Sequence, residues 1–245
     1  MIYERGNAAK QWIFEELDRK FGQSSVRVLD LACGDAKKWK SYIAAHSSTR
    51  VIGIDTDANA IERGKSLFAG VSQIELRVFD AQNFIKIATS QLPPRNDREE
   101  LFDAVVAMSA IEHVVDRPAF LKTTWDALRS GGIAYLNYDA GHFRSHDIKE
   151  RLMVPISQML AVFGFEGPYM KKVDDGAFRT QAEALGFKVT GMKKYNAQKL
   201  KGLMRGAPDD ILNDWFAFED SLNARFTPEK LDDYMLSTTL ILEKP

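Results

Sequence analysis

VLDLACGDAKKWK, residues 28–40, is the stretch on which the fold turns. An apolar run from Val26 to Leu31, with Asp30 set into it, breaks into the small residues Ala32, Cys33, Gly34 and Ala36 and then into a helix-like continuation. Strand, tight turn and helix in that order bring bare backbone close to a polar, nucleotide-like ligand. A dinucleotide fingerprint places glycine at three positions, G-x-G-x-x-G, so that the main chain reaches a pyrophosphate. Here Ala32, Gly34 and Ala36 take alternate positions, and one of the three is glycine. Small side chains still permit close approach, but the spacing suits a ligand without a pyrophosphate and weighs against an NAD-dependent oxidoreductase.

Outward from this turn the chain alternates. Short β-branched runs recur at 26–32, 51–55, 74–79, 103–107 and 133–138, with helix-length segments at 37–45, 58–68, 82–88 and 118–129. Nearly continuous apolar strands separated by helices predict an α/β protein whose parallel sheet is covered on both faces. An amphipathic helix at 8–21, with Trp12, Ile13, Leu17 and Phe21 on one side, precedes the first strand. Ser130-Gly131-Gly132 reads as a helix stop before the fifth strand, and SQLPPRNDREE at 90–100 as a surface loop. After Tyr138 the alternation lapses into LMVPISQMLAVFGF, resumes with a helix at 177–185 and a strand from Gly186, and closes on the strand LSTTLILEK. The expectation is one domain over 1–245 with cap insertions at about 140–175 and 196–234.

Composition bounds the function. With 45% hydrophobic and 27% charged residues in 245, the chain is an ordinary globular protein with a full core. A net charge of −1 carries no overall footprint for nucleic acid or anionic membrane. Cys33 is the single cysteine, which excludes an internal disulfide and a four-cysteine zinc site. No apolar run has the length of a signal-peptide core or a membrane span, so a cytoplasmic protein without a membrane partner is expected.

Three acids stand at the carboxyl ends of three consecutive strands. Asp30 is in the first; Asp55 ends VIGID and Asp80 lies in VFDAQNF. A carboxylate at the end of the second strand is placed to accept from both hydroxyls of a ribose. The plainer reading is a helix cap, which Asp57 fits. Asp80, with the Ala81 backbone, suits an exocyclic adenine amine or a cap.

In order and spacing, VLDLACGDA, VIGIDTDANAIERGK, VFDAQNF, FDAVVAMSAIEHV and LRSGGIAYL resemble the successive motifs of class I S-adenosylmethionine-dependent methyltransferases. The likeness covers roughly residues 25–140, and IEHV is most similar to the branch with ubiquinone and menaquinone biosynthesis methyltransferases. It implies a Rossmann-like, seven-stranded, mostly parallel sheet with an antiparallel terminal strand and helices on both faces. By the same resemblance Asp30, Ala32 and Gly34 line the methionine end of the donor, Asp55 with Thr56 holds the ribose, Asp80 with Ala81 the adenine, and Ser109 lies beneath the sulfonium. Alanine replaces the family's frequent glycine at 32 and 36, which is tolerated where φ is negative.

Methyl transfer from a sulfonium needs in-line positioning, exclusion of water and, for a hydroxyl or activated carbon, a general base. His113 follows the fourth strand and is the candidate base, with a purely structural role as the alternative. His142 and His146, near Asp139 and Asp147, admit a metal site or a second base on paper, and polar lid residues as the simpler account, so no metal is expected. Cys33 reads as a small turn residue. By resemblance, the segment before the first helix closes over the donor, which makes Tyr3 or Arg5 a candidate for its carboxylate. Residues 141–205 hold twelve Lys/Arg against six Asp/Glu, and 206–235 hold two against eight. Such opposed charge pairs the insertions or draws in an anionic substrate. Apolar residues there, Met153, Met159, Phe163, Trp215 and Phe216 among them, line an acceptor pocket or form the cap's own core. The expected function is methyl transfer to a small molecule. An RNA or protein methyltransferase and a non-catalytic donor-binding protein stand as alternatives; the lysines around 193–205 make no strong nucleic-acid signal, and the oligomeric state stays open.

Overall fold

Strand β1 (Val26–Leu31) pairs in parallel with β2 (Thr49–Asp55) on one side and β4 (Phe102–Ala107) on the other. Strand β3 (Ile74–Val78) extends β2, and β5 (Leu128–Asp139) extends β4. The antiparallel β7 (Met235–Glu243) then sits between β5 and β6 (Lys188–Ala197), giving the seven-stranded order β3-β2-β1-β4-β5-β7-β6. The computed structural model describes residues 1–22, 24–82, 101–144, 148–163, 169–198 and 200–245.

The period of two along each strand divides the core. Val26 and Val28 of β1, with Ala104 and Val106 of β4, face a cluster that includes Trp12, Phe14, Trp39 and Tyr42. Leu29 and Leu31, with Val105 and Ala107, face the opposite cluster, which holds Phe120, Phe178 and Phe187. Helix α1 (Ala8–Phe21) covers the first face and starts where the Asn7 side chain accepts from Lys10 N. A 3-10 turn at Lys37–Trp39 leads into α2 (Lys40–Ala45). Asp57 caps α3 (Ala58–Leu67), Asp116 caps α4 (Arg117–Ala127), and Asp174 caps α6 (Asp175–Ala184). Between these last two lies α5 (Ile148–Val162).

Two sequence expectations change. Helix α4 ends at Ala127, and β5 begins at Leu128, because Leu128 pairs with Phe102 ahead of a register shift. Gly131 therefore lies within the strand at φ +73°, its N–H donating to the Lys244 carbonyl, rather than stopping a helix. The second insertion folds as α7 (Leu200–Met204), α8 (Asp209–Arg225) and α9 (Pro228–Leu231). From α8, Leu212, Trp215 and Phe216 join the α1-side core with Trp12 and Tyr195, so they do not line an acceptor pocket. Between the basic and acidic stretches, Lys194, buried in β6, pairs with Asp232, and within its own stretch it pairs with Asp175. The helix at 82–88 and the loop at 90–100 lie almost wholly outside the described residues.

Candidate active site

After β3 the chain returns to the far side of β1, so the sheet reverses its winding between β1 and β4. Ligands of open α/β sheets bind at that crevice, beyond the carboxyl ends of the strands. A cleft of about 940 Å³ opens there, the size of a small-ligand site.

The turn after β1 forms one wall. Ala32, Gly34 and Ala36 all lie in the left-handed region, at φ +56°, +60° and +53°. This overturns the expectation of negative φ at the alanines. A non-glycine residue there costs roughly 1–2 kcal/mol, and one local and two long-range hydrogen bonds hold the turn in it. Cys33 N donates to Ile54 O at 3.0 Å, Ala36 N to Cys33 O at 3.1 Å, and Gly34 N to Asp55 Oδ2 at 2.7 Å. A Cβ built on Gly34 meets nothing within 4 Å, so the backbone is bare toward the cleft. Cys33 packs inward, where a Cβ on Gly53 would stand 2.8 Å from its sulfur, and burial raises its thiol pKa. It is a spacer, not a nucleophile.

Asp30 lies under this wall, not on it. It is fully buried; Oδ2 accepts from Trp39 Nε1 at 2.7 Å and pairs with Lys38 Nζ at 3.1 Å, while Oδ1 has no partner among the described residues. Burial raises its carboxyl pKa, against Lys38 and Trp39. Asp30 thus stiffens the turn from below.

Asp55, Thr56, Asp80 and Ala81 line the cleft together. Asp55 Oδ1 accepts from Asp57 N at 2.8 Å, and the helix cap of α3 is Asp57. Asp80 Oδ1 accepts from Gln82 N at 2.8 Å, and the Ala81 carbonyl is held by Thr123 Oγ1 at 2.6 Å. The floor comes from the turn after β4. Ser109, at φ +58°, donates through its N–H to Asn137 Oδ1 at 3.0 Å. Asn137 is buried and its Nδ2 donates to Thr238 O and Thr239 Oγ1. His113 lines the cleft from a 3-10 turn at Ile111–His113, with Nδ1 3.0 Å from the Tyr169 main-chain oxygen. A carbonyl only accepts, so the ring donates from Nδ1.

Tyr3 and Arg5 are not at the cleft. The Tyr3 hydroxyl bonds Asp18 and His46 in the core, and Arg5 reaches Asp209 and the Ala207 carbonyl. Glu4 and Lys10 line the mouth instead. The Lys10 ammonium makes no hydrogen bond or ion pair among the described residues, and burial, then Lys38, lowers its pKa to about 8. Lys10 and Asn137 escaped the sequence reading. The legible signal was an asparagine inside an apolar strand, IAYLNYD; for Lys10 there was none. The His142 side chain, His146 and Asp147 lie outside the described residues, and Asp139 is engaged by Lys201, Ser237 and Gly141 N.

A bare turn, acids at the ends of β2 and β3, and the half-buried Lys10 ammonium at the mouth fit a zwitterionic nucleoside with a ribose and an adenine. The geometry defines the class: a Rossmann-like nucleoside-binding fold of the class I methyltransferase type. A family model described as Methyltransferase domain matches residues 4–207. The chain belongs to that family, whose donor is S-adenosylmethionine. It is 33% identical over 110 residues to a ubiquinone biosynthesis O-methyltransferase of Rhodopseudomonas palustris (strain BisB5), covering 45% of this chain and 38% of that protein. It is 30% identical over 119 residues to phosphoethanolamine N-methyltransferase 1 of Arabidopsis thaliana, covering 48% of this chain and 21% of that protein. The chain thus spans well under half the length of these relatives. In fold it is similar to an S-adenosylmethionine-dependent methyltransferase from Mesorhizobium loti, with TM-score 0.59, 16% identity and coverage of 96% and 97% of the two chains. A second such enzyme, from Archaeoglobus fulgidus, aligns with TM-score 0.54 at 16% identity over 96% and 94%.

Proposed function

We propose that this chain transfers a methyl group from S-adenosylmethionine to a small-molecule acceptor, with His113 taking the acceptor's proton. When bound, the donor supplies a methyl on a sulfonium sulfur, which keeps the bonding electron pair as the methyl leaves. The chain's own residues do the rest. Asp55 accepts from the ribose hydroxyls, Asp80 and Ala81 meet the adenine edge, and the Gly34 turn lies along the methionine part. Lys10 neutralises the donor's carboxylate, the role that the sequence offered to Tyr3 or Arg5. The walls and floor fix the line of attack and exclude water. His113 Nε2 receives the proton from an acceptor hydroxyl.

The observation that carries this reading is the place of His113 on the cleft wall, with Nδ1 turned to the Tyr169 main-chain oxygen. The small size of the acceptor is supported by the printed names of the two relatives above, both methyltransferases of small molecules. Isothermal titration with S-adenosylmethionine, S-adenosylhomocysteine and NAD tests the donor site: micromolar binding of the first two without the third is expected. A labelled-methyl screen of hydroxylated small molecules then tests transfer. His113→Ala is expected to lower kcat about 10²- to 10⁴-fold with donor affinity unchanged. Equal loss of both makes His113 a donor contact, and donor binding with no transfer to any acceptor favours a non-catalytic binder.

A further inference from the structure

Residues 169–172 belong to no helix or strand, so their main-chain groups must find partners elsewhere. Met170 N donates to Ser157 Oγ at 3.1 Å and Met170 O accepts from Gln158 Nε2 at 3.0 Å, which ties the segment to α5. Its other bonds run toward the turn that carries His113. Tyr169 O takes His113 Nδ1 at 3.0 Å, and Lys171 N donates to Glu112 O at 2.9 Å. The carbonyls of Lys171 and Lys172 both accept from one side chain, Arg117, through Nη2 and Nη1 respectively. Nε of the same guanidinium donates to Ile111 O at 3.3 Å, on the turn itself. Arg117 is the first residue of α4, between the cap Asp116 and Pro118, so this fork is carried on a fixed base. It makes no ion pair among the described residues, and it does not line the cleft. Burial lowers its pKa, with Tyr169 and then Glu112 opposing, and a guanidinium stays charged all the same.

We propose that Arg117 is a positioning residue for methyl transfer: by clamping residues 169–172 to the turn Ile111–His113, it holds the His113 ring in the orientation that meets the acceptor. The proposal rests on the reading of His113 as the residue that takes the acceptor's proton. His113 is exposed, on a 3-10 turn of three residues, and such a short turn has poor hydrogen-bond geometry of its own. The Tyr169 carbonyl selects one ring orientation, and it does so only as firmly as Tyr169 is itself held. Arg117 supplies that hold, because its planar fork spans both pieces, with one donor on the turn and two on the segment. A lysine is a single point and reaches one side or the other. The rate is sensitive to such placement, since a shift of about 1 Å at a reacting group costs on the order of 10²-fold.

Proton–nitrogen NMR correlation of the histidine rings reads the ring without an acceptor. It is recorded at about pH 8, above the ordinary histidine range, and His113→Ala assigns the signal. The native protein is expected to show one neutral form, protonated at Nδ1. Arg117→Met is expected to average the two neutral forms while its calorimetric affinity for S-adenosylmethionine is unchanged, which shows that it is folded. Arg117→Lys is expected to recover part of the native pattern. A native pattern kept intact in Arg117→Met overturns the proposal, as does a donor affinity that falls along with it. In methyl transfer to the acceptor found in the labelled-methyl screen, Arg117→Met is expected to lower kcat roughly 10- to 100-fold with KM unchanged. In the His113→Ala background the same substitution is expected to cost nothing further, and equal losses in both backgrounds overturn the proposal. A His113→Ala variant with native kcat overturns the base reading and this proposal with it, whereas an unchanged ring spectrum in Arg117→Met overturns the clamp alone.

Discussion

Asp55 Oδ2 accepts the Gly34 amide at 2.7 Å across the carboxyl ends of β2 and β1. One carboxylate thereby locks the left-handed turn and faces the cleft beside it. Its other oxygen holds the amide of Asp57, so the start of α3 is anchored to the same group.

Asp55→Asn leaves one acceptor oxygen where two are used and removes the charge. Hydrogen bonds to charged groups contribute about 1.5–3 kcal/mol, so donor affinity is expected to fall roughly 10- to 100-fold by calorimetry. Binding unchanged within a factor of two removes Asp55 from the donor site.

Lys10 gives a pH signature. Its folded-state pKa of about 8 lies below the ordinary lysine value, so the charged form burdens the folded protein. Stability without ligand rises as pH climbs from about 8 to about 10.4. A bound carboxylate favours the charged form, so donor affinity is expected to be greatest below pH 8 and to weaken as pH rises past it. Lys10→Met flattens that part of the profile. Parallel profiles for the two proteins between pH 7 and 10 remove Lys10 from the site.

Beneath the turn, Lys38 and Asp30 form a pair with side chains 9% and 0% exposed. Removing one partner of a buried pair strands the other charge, at a cost of about 3–5 kcal/mol. Lys38→Met is expected to lower stability by that amount in urea unfolding, and the double variant Asp30→Asn/Lys38→Met to recover a good part of it. Additive losses in the double variant contradict this account.

Ala32 is partly exposed and held at φ +56°. Ala32→Gly relieves left-handed strain, offset in part by greater freedom of the unfolded chain. The net is a gain of about 0.5–1 kcal/mol, or roughly 1–4 °C in Tm at this chain length. A lower Tm assigns more weight to the lost methyl contact than to the backbone.

The sequence made the sheet legible because strand alternation is local: Val26 and Val28 against Leu29 and Leu31 already specify two covered faces. It also placed Asp55, Asp80, Ser109 and His113 at strand ends, and all four line one cleft. What it concealed depends on distant partners. Nothing local in alanine favours positive φ; Ile54 and Asp55 impose it. Leu128 looks helical until Phe102 pairs with it. Trp215 reads as a pocket wall or, more readily, as the cap's own core until α8 is set against α1 and β6.

The position of β7 has a consequence for how the protein is made. Residues from Met235 onward must arrive before β5 gains its outer neighbour, and β6, synthesised earlier, has no place in the sheet until then. At roughly 5–20 residues per second on the ribosome, the edge of β5 stays open for on the order of ten seconds after Asp139 emerges. Through that interval its apolar run, Ile133 to Tyr138, is a free template for strand pairing. The nascent chain is therefore most exposed to misassembly when its nucleoside-binding half is already complete, and a chaperone that shields one strand edge would protect it at that point.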